Sequence, residues 1–352
     1  MNARNLVSAF AEWRATSREL VLASVYETAG STYSKAGARM LVTADGQFQG
    51  MLSGGCLEGD LAERAARVSS SRTPQTVSYD LGRNDEELWG LGVGCDGLMR
   101  IFLQPLGAAN GYQPFAAMAD ILAGDDAAVT VTVIESSHDR LPPGATLLQV
   151  GETTRSYGID AGYLPALRGN MARVSTLRRS FTAEVSLDGR SLRLLFAALR
   201  PPPRVLALGG GLDAEPVVRL VAELGWRVVV QDHRPAYIAN GNFDAAEQTL
   251  CVPVADLGAQ LDVARFDAAI VMSHHLQTDR AYLELLAGSS MPYIGLLGPV
   301  DRRRRLLDDL GAVGEQLAGR LHGPAGLDIG GRGPAAIALS IVSEMHRTLM
   351  RD

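Results

Sequence analysis

Hydrophobic positions along this chain follow two different periods, and the two alternate. Leu6, Phe10 and Trp13 recur at helical spacing near the N-terminus, and the runs after them are short and bounded by turn residues. These runs predict strands at residues 20–26, 39–43, 47–52, 76–80, 99–103, 127–135, 145–150, 181–185 and 192–199. Because helical patterns lie between several of them, we expect a mixed α/β domain in the first 200 residues.

Beyond position 203 the apolar runs become continuous, which is typical of strands buried on both faces of a parallel sheet. Runs of this kind occupy residues 205–208, 228–230, 266–272 and 293–297. Helical patterns separate them, and a final helix is predicted to begin at Pro334 and to pack Ile337, Ile341 and Val342 on the sheet. The fold class is therefore α/β, with a C-terminal Rossmann-like, doubly wound parallel sheet.

Three consecutive prolines at positions 201–203 separate the two patterns and form a stiff spacer. We place the domain boundary there, with an N-terminal domain at residues 1–200 and a C-terminal domain at residues 201–352. A length of 352 residues fits two such domains.

The turn after residues 205–208 carries a dinucleotide-binding fingerprint. Gly209, Gly211 and Ala214 fit G-x-G-x-x-G/A, and Gly210 and Asp213 lie in the same turn. The helix that follows offers free N–H groups and a positive dipole end to a phosphate. Asp232 comes about 20 residues later, where an acidic side chain can bond a ribose hydroxyl. The pattern favours a nucleotide-like ligand, and a glycine-rich turn without a ligand is the alternative.

Composition and charge exclude several classes of protein. The net charge of −6 argues against a general nucleic-acid surface, and no apolar run approaches the roughly 18 residues that a membrane span needs. The N-terminal stretch lacks the apolar core of a signal peptide. Three cysteines make no even disulfide framework. We therefore expect a cytoplasmic protein with reduced thiols and without nucleic-acid or membrane partners.

Two of the cysteines follow glycines in turns. Gly54 and Gly55 precede Cys56 near a predicted helix start, which favours a thiolate, and Gly94 precedes Cys95 in a second glycine-dense loop. Glycines there let backbone N–H groups approach a ligand, so we hypothesise that Cys56 and Cys95 share one pocket. The alternative is a small packing cysteine and a plain connecting loop. Neither cysteine has zinc-ligand spacing.

Further polar residues mark other strand and helix ends. His274 and His275 follow the run at 266–272, at an edge where open α/β sheets bind ligands, although they could equally shape a loop. Asp328 lies in a tight glycine turn. Four arginines at 302–305 open a helix against its dipole, so they mark an anion or an acidic partner, or else a solvated surface. Cys251 is interpreted as packing in a short edge strand at 251–253.

At these residues the sequence resembles the XdhC/CoxI family, the accessory proteins of xanthine dehydrogenase and carbon monoxide dehydrogenase. The resemblance covers almost the whole chain and is carried by residues 30–32, 37–40, 53–58, 89–97, 209–214, 232–235, 271–274, 293–298 and 326–330. The chain departs from the family pattern at Tyr33-Ser34, at Asp96 and at Ala335-Ala336, which affects the expected detail of ligand contacts.

This resemblance implies a maturation factor that binds the molybdenum cofactor, as molybdopterin or its dinucleotide form. Such a factor supports sulfuration of the cofactor and delivers it to an apo molybdenum hydroxylase of the xanthine dehydrogenase, aldehyde oxidase or CO dehydrogenase type. Cys56 and Cys95 would handle the molybdenum or its sulfur. The expected cofactor-binding residues are Gly54, Gly55, Cys56, Gly94, Cys95, Gly209, Gly210, Gly211, Asp213, Asp232, His274 and Asp328.

The expected partners also include a cysteine desulfurase or a cofactor biosynthesis protein, and a second copy of this chain in a homodimer. Two alternatives remain open. One is an NAD(P)-dependent oxidoreductase that uses the Rossmann-like domain, and the other is a sulfurtransferase that carries a persulfide on Cys56.

Overall fold

The structure, a computed structural model, describes residues 3–80 and 97–350. The chain divides into two compact units, one that ends at Pro201 and one that begins at Pro202. We refer to them as the N-terminal and C-terminal units. No helix in the described ranges is long and apolar enough to cross a membrane.

The first part of the N-terminal unit is an antiparallel five-stranded sheet with the order β3-β2-β1-β5-β4. Its strands are β1 (Leu20–Gly30), β2 (Arg39–Thr43), β3 (Phe48–Gln49), β4 (Gln75–Asp80) and β5 (Gly97–Leu106). Two helices accompany it, α1 (Ala3–Ala15) and α2 (Glu58–Ser71). As the helical spacing predicts, α1 buries Leu6, Phe10 and Trp13.

A second antiparallel sheet completes the N-terminal unit, with the order β8-β7-β6-β10-β9. Its strands are β6 (Ala128–Ser136), β7 (Thr146–Val150), β8 (Thr153–Tyr157), β9 (Phe181–Leu187) and β10 (Arg190–Leu199). Its helices are α3 (Phe115–Ala123) and α4 (Leu164–Leu177). A small buried cluster joins the two sheets through Tyr26, Phe102, Ile134, Leu195 and Ala197.

The C-terminal unit is built on a parallel six-stranded sheet with the order β13-β12-β11-β14-β15-β16. The strands are β11 (Arg204–Leu208), β12 (Arg227–Gln231), β13 (Gln248–Leu250), β14 (Ala268–Val271), β15 (Tyr293–Leu296) and β16 (Leu321–His322). The helices are α5 (Ala214–Glu223), α6 (Pro235–Asn240), α7 (Leu257–Gln260), α8 (Leu276–Ala287), α9 (Val300–Leu310), α10 (Ala312–Glu315) and α11 (Pro334–Leu349).

Each central strand contributes side chains to two hydrophobic cores, because its side chains alternate between the two faces of the sheet. Val205 and Ala207 pack with residues of α5 and α11, whereas Leu206 and Leu208 pack with residues of α8 and α9. This two-sided burial explains the continuous apolar runs. The predicted fold class, a mixed α/β part followed by a Rossmann-like parallel sheet, is confirmed, and the sheets of the first part are antiparallel. The strand order reverses between β11 and β14, which is the topological switch point.

The differences from prediction lie at the edges of the sheets. β3 pairs over two residues only, and β8 is a mostly exposed edge strand, so it lacks the hydrophobic pattern that would have predicted it. The edge strand predicted around Cys251 ends at Leu250. Cys251 lies beyond the last paired residue and is exposed, so its interpretation as a packing residue is wrong. Ile337 is likewise exposed, because only Ile341 and Val342 of that predicted face turn inward.

Gly209 is expected to contribute to the stability of the C-terminal unit. Its φ is +132°, and an added Cβ would lie 2.4 Å from the carbonyl oxygen of Met272. We expect Gly209→Ala to lower the free energy of unfolding by about 1–3 kcal/mol through backbone strain, as measured by urea unfolding. Gly288→Ala is the control, since Gly288 has φ −73° and open space at its Cβ. Equal stability of the two variants would contradict the close approach.

Candidate functional site

The carboxyl ends of β11 and β14 meet at the switch point. The N–H of Gly209 donates to the carbonyl of Gln231 at 2.8 Å, and the turn after β11 passes directly against Met272 and Ser273. The main constraint on Gly209 is this close approach to the end of β14. We call residues 209–213 together with residues 273–275 the switch-point edge.

Asp213 and His274 form a hydrogen-bonded pair across this edge. Nε2 of His274 lies 2.8 Å from Oδ2 of Asp213, which joins two residues that the sequence placed 61 positions apart. The His274 side chain is 59% exposed and that of Asp213 is 14% exposed. His274 also has a φ of +60°, an uncommon conformation for a residue other than glycine. The edge therefore presents an oriented imidazole to solvent.

Asp232 is completely buried and already has donors on both oxygens. It accepts hydrogen bonds from the N–H of Gly210 at 2.8 Å, from the N–H of Arg234 at 2.9 Å, and from Nε and Nη2 of Arg234 at 2.8 and 2.7 Å. A ribose hydroxyl would have to compete with Arg234 for this carboxylate. The ribose contact expected of Asp232 is therefore not available in this arrangement, because Arg234 occupies its place.

These contacts decide the protonation of Asp232. Burial by itself raises the pKa of the Asp232 carboxyl, because it disfavours the charged form. The hydrogen bonds from Arg234 and Gly210 outweigh burial and hold the pKa below its usual range. Asp232 is thus a fixed internal anion that positions both the glycine turn and Arg234.

A second buried carboxylate extends this arrangement to the next turns. Asp279 accepts the N–H of Ser273 at 3.2 Å and Nη2 of Arg302 at 2.6 Å, and Nη2 of Arg234 lies 3.4 Å from the carbonyl of Ser273. Arg302, the first arginine of the predicted cationic run, therefore pairs with a buried carboxylate of the same chain. Arg304 pairs with the exposed Asp301 at 2.8 Å. Asp279 and Arg234 were missed by the sequence reasoning, although the spacing Asp-x-Arg at 232–234 was a local signal for Arg234.

Arg303 differs from Arg302 and Arg304 because it forms no ion pair within the described part of the chain. Its Nε is buried and has no hydrogen-bond partner within the described ranges, and the side chain is only partly exposed. It packs against Gly323, where an added Cβ would lie 2.9 Å from its Cδ. Of the four arginines, Arg303 is the one whose position suits an anionic ligand.

Asp328 is exposed, in a turn whose backbone is held by α11. The N–H of Gly326 donates to Glu344 at 2.8 Å and that of Leu327 donates to the carbonyl of Ser340 at 3.2 Å. Nothing among the described contacts ties Asp328 to the switch-point edge, so its role in cofactor binding stays a prediction.

In the N-terminal unit, Cys56 lies exposed two residues before helix α2. The carboxylate of Glu58, itself buried, accepts the N–H groups of Leu52 and Ser53 at 2.9 Å and that of Gly55 at 3.0 Å. Of the N–H groups that were expected to face a ligand, that of Gly55 is therefore directed at the chain's own carboxylate. Gly54 and Gly55 have φ of +80° and +110°, a conformation that glycine adopts freely.

Gly94 and Cys95 lie outside the described residues, so the pocket that Cys56 and Cys95 were predicted to share stays a prediction. Within residues 3–80 and 97–350, no group of three or more His, Cys, Asp or Glu side chains is arranged to hold a metal ion.

Comparison with known proteins agrees with this architecture. Residues 205–345 match the XdhC Rossmann domain, and residues 13–80 match the XdhC and CoxI family. A relative from Bacillus subtilis, named as a probable xanthine dehydrogenase subunit, is 31% identical over 335 residues, which are 95% of this chain and 94% of that protein. The chain belongs to the XdhC and CoxI family.

Two further relatives of this XdhC/CoxI protein extend the comparison. The molybdenum cofactor insertion chaperone PaoD of Escherichia coli is 23% identical, over 92% of this chain and 82% of that protein. A crystal structure described as a xanthine dehydrogenase from Bacillus halodurans superposes with a TM-score of 0.80 at 27% identity, and covers 100% of this chain and 97% of that one. The similarity therefore runs through both units, and the resemblance deduced from the sequence motifs is confirmed.

The buried pair of Asp232 and Arg234 generates a prediction about pH in this XdhC/CoxI protein. Asp232→Asn should lower the free energy of unfolding at pH 7 by about 3 kcal/mol, because it breaks a buried, charged pair. The pKa of Asp232 is lowered by folding, so its stabilisation is present above the unfolded value of about 3.9 and is lost as the pH falls through the folded value.

The stability difference between Asp232→Asn and the unaltered protein should therefore shrink below about pH 4 in urea unfolding experiments. Asp244→Asn serves as the control, because Asp244 is exposed in the same unit. A difference that stays constant from pH 7 to pH 3 would show that Asp232 is not held as a buried anion.

Proposed function

We propose that this protein binds the molybdenum cofactor and delivers it to a molybdenum hydroxylase. The observation that carries the proposal is its similarity to the insertion chaperone PaoD, which extends over 92% of the chain. The relative in B. subtilis is named for xanthine dehydrogenase, which supports a client of that class. The cofactor is therefore cargo, held and then released.

The switch-point edge is the part of the C-terminal unit that suits such cargo. A pterin cofactor carries a phosphate, and its dinucleotide form carries a pyrophosphate. Because Gly209 and Gly210 already donate their N–H groups within the chain, the groups left for an anionic part of the cargo are the exposed imidazole of His274 and Arg303, a cation that no described residue pairs. Asp232 and Asp279 contribute indirectly, because they hold the turns in place.

Cys56 supports the handling of molybdenum or its sulfur. A thiolate is a soft ligand and a carrier of persulfide sulfur, and an exposed thiol can be reached by a cysteine desulfurase. The loop is held by Glu58 beneath it, so the thiol is presented on a fixed backbone. We propose sulfuration support through Cys56, with Cys95 as its partner, as the finer part of this function.

The occupied carboxylate of Asp232 favours molybdopterin, which has no ribose, over NAD(P) and over the dinucleotide form of the cofactor, which both carry one. Rossmann domains that bind NAD use an acidic residue at this position to bond the ribose hydroxyl. Here the carboxylate of Asp232 accepts hydrogen bonds from Arg234 instead. The sulfurtransferase alternative differs in needing a persulfide on Cys56 without bound pterin. Protein purified from its native host should carry pterin and molybdenum under our proposal, and nicotinamide nucleotide or persulfide alone under the alternatives.

Arg303→Gln and His274→Ala are expected to lower retention of the cofactor several-fold while the protein stays folded, because each removes a donor to the anionic group. Molybdenum per protein by mass spectrometry and oxidised pterin by fluorescence are the measurements. Arg305→Gln is the matched control, since Arg305 is an exposed arginine on the same helix. Normal molybdenum and pterin content in both variants would place the cargo elsewhere.

Cys56→Ser is expected to keep the fold and to abolish most activation of a co-expressed molybdenum hydroxylase, because serine is a harder and far less acidic ligand than cysteine. Cys251→Ser is the control, as an exposed cysteine in the C-terminal unit. Client activity and molybdenum content are measured together. Full client activity with Cys56→Ser would leave the thiol without a role in sulfur or molybdenum transfer.

A further inference from the structure

The N-terminal unit contains a cleft of about 860 Å³ that none of the sequence motifs marked as a site. Its walls are strand β1, the loop before β2, and the segment that leads from α4 into β9. The cleft is within the size range of small-molecule sites. Its polar lining includes Lys35, Arg178, Arg179, Ser180 and Thr182.

The carboxylate of Glu27 in this lining is already neutralised. Nη1 of Arg100 lies 3.3 Å from its Oε1, and Arg193 donates to its Oε2. Arg193 also lies 3.6 Å from Glu135. These residues form a closed group, so Glu27 does not offset the positive charge elsewhere in the cleft.

Three further cations of the lining lack a carboxylate partner among the described residues. Arg178 and Arg179 make no hydrogen bond or ion pair with other described residues, and Lys35 donates to the hydroxyl of Thr32 at 3.1 Å. The lining contains one more carboxylate, that of Glu184, which is exposed. Outside the neutralised group the cleft therefore has an excess of about two positive charges, and a phosphate monoester carries about two negative charges.

The backbone around these cations is closely fitted. Gly37 has φ +91°, and an added Cβ would lie 2.3 Å from Oγ of Ser180, so the loop that carries Lys35 presses against the segment that carries the arginines. Ser180 in turn accepts the N–H of Ala198 at 3.2 Å. Arg178, the residue that follows helix α4, has φ +52°, which turns the chain sharply and places two arginines in succession at the cleft.

We propose that this cleft binds a small molecule that carries a phosphate group. Arg178 and Arg179 contact the phosphate oxygens through charge-assisted hydrogen bonds, and Lys35 completes the positive field. All of the lining residues lie in the N-terminal unit, and none belongs to the switch-point edge or to the Cys56 loop. The site is therefore additional to the one proposed for the molybdenum cofactor.

Titration calorimetry on the full-length protein tests this site with AMP, inorganic phosphate and adenosine. We expect AMP and phosphate to bind and adenosine, which lacks the phosphate, not to bind. The double variant Arg178→Gln/Arg179→Gln should weaken AMP binding at least tenfold, whereas Arg178→Lys/Arg179→Lys should retain part of it. Arg155→Gln, an exposed arginine on the opposite edge strand of the same sheet, is the matched control.

Arg303→Gln separates this site from the C-terminal unit, because AMP binding in the cleft should survive that change. Failure of the unaltered protein to bind either phosphate compound would overturn the proposal. So would unchanged AMP affinity in the double glutamine variant, an equal loss in Arg155→Gln, or binding of an acidic peptide in place of both phosphate compounds. Thermal unfolding checks that the double variant folds, and Lys35→Ala provides the same affinity test if it does not.

Discussion

The arrangement of the carboxyl edge of the parallel sheet depends on the hydrogen bonds that the buried carboxylate of Asp232 accepts. A charged group without access to water must be compensated by donors, and Asp232 obtains them from Gly210 and Arg234. Meeting that requirement holds the glycine turn after β11 and the segment after β12 in one arrangement. Asp279 does the same for the turn after β14 and for the start of α9, through Ser273 and Arg302.

A similar solution appears in the N-terminal unit, where Glu58 accepts backbone N–H groups of the glycine loop that carries Cys56. In both units a glycine-rich turn is stabilised by a carboxylate from the same chain. This changes how a ligand can be bound, because part of the backbone that such turns usually offer to an anion is already used. For the proposed cargo, the groups that remain are side chains: the imidazole of His274, the guanidinium of Arg303 and the thiol of Cys56.

Much of the fold could be predicted because its signals are local. The strands at 205–208 and 228–230 are apolar on both faces, and the spacing of Leu6, Phe10 and Trp13 indicates one buried helix face, as the structure has them. The exposed strand β8 carried no such pattern, and the strand predicted at residues 47–52 pairs only over Phe48–Gln49. Cys251 was misplaced because the edge strand β13 ends at Leu250. An edge strand is held by backbone pairing with its neighbour, so its side chains need not alternate.

The sequence by itself determined the family and the Rossmann-like sheet. It also located the strand ends and glycine turns at which the site residues are predicted, since these features are encoded by consecutive residues. Only the tertiary structure decided which of those residues face each other. Asp213 forms a hydrogen bond with His274, which is 61 positions away in the sequence. Asp279 accepts a hydrogen bond from Arg302, which is 23 positions away. Asp232 accepts a hydrogen bond from the N–H of Gly210, which is 22 positions away, although its spacing from the glycine turn had suggested a ribose contact. Partner choice depends on how the turns pack in space, and a carboxylate that becomes buried must take the nearest donors, whichever part of the chain supplies them.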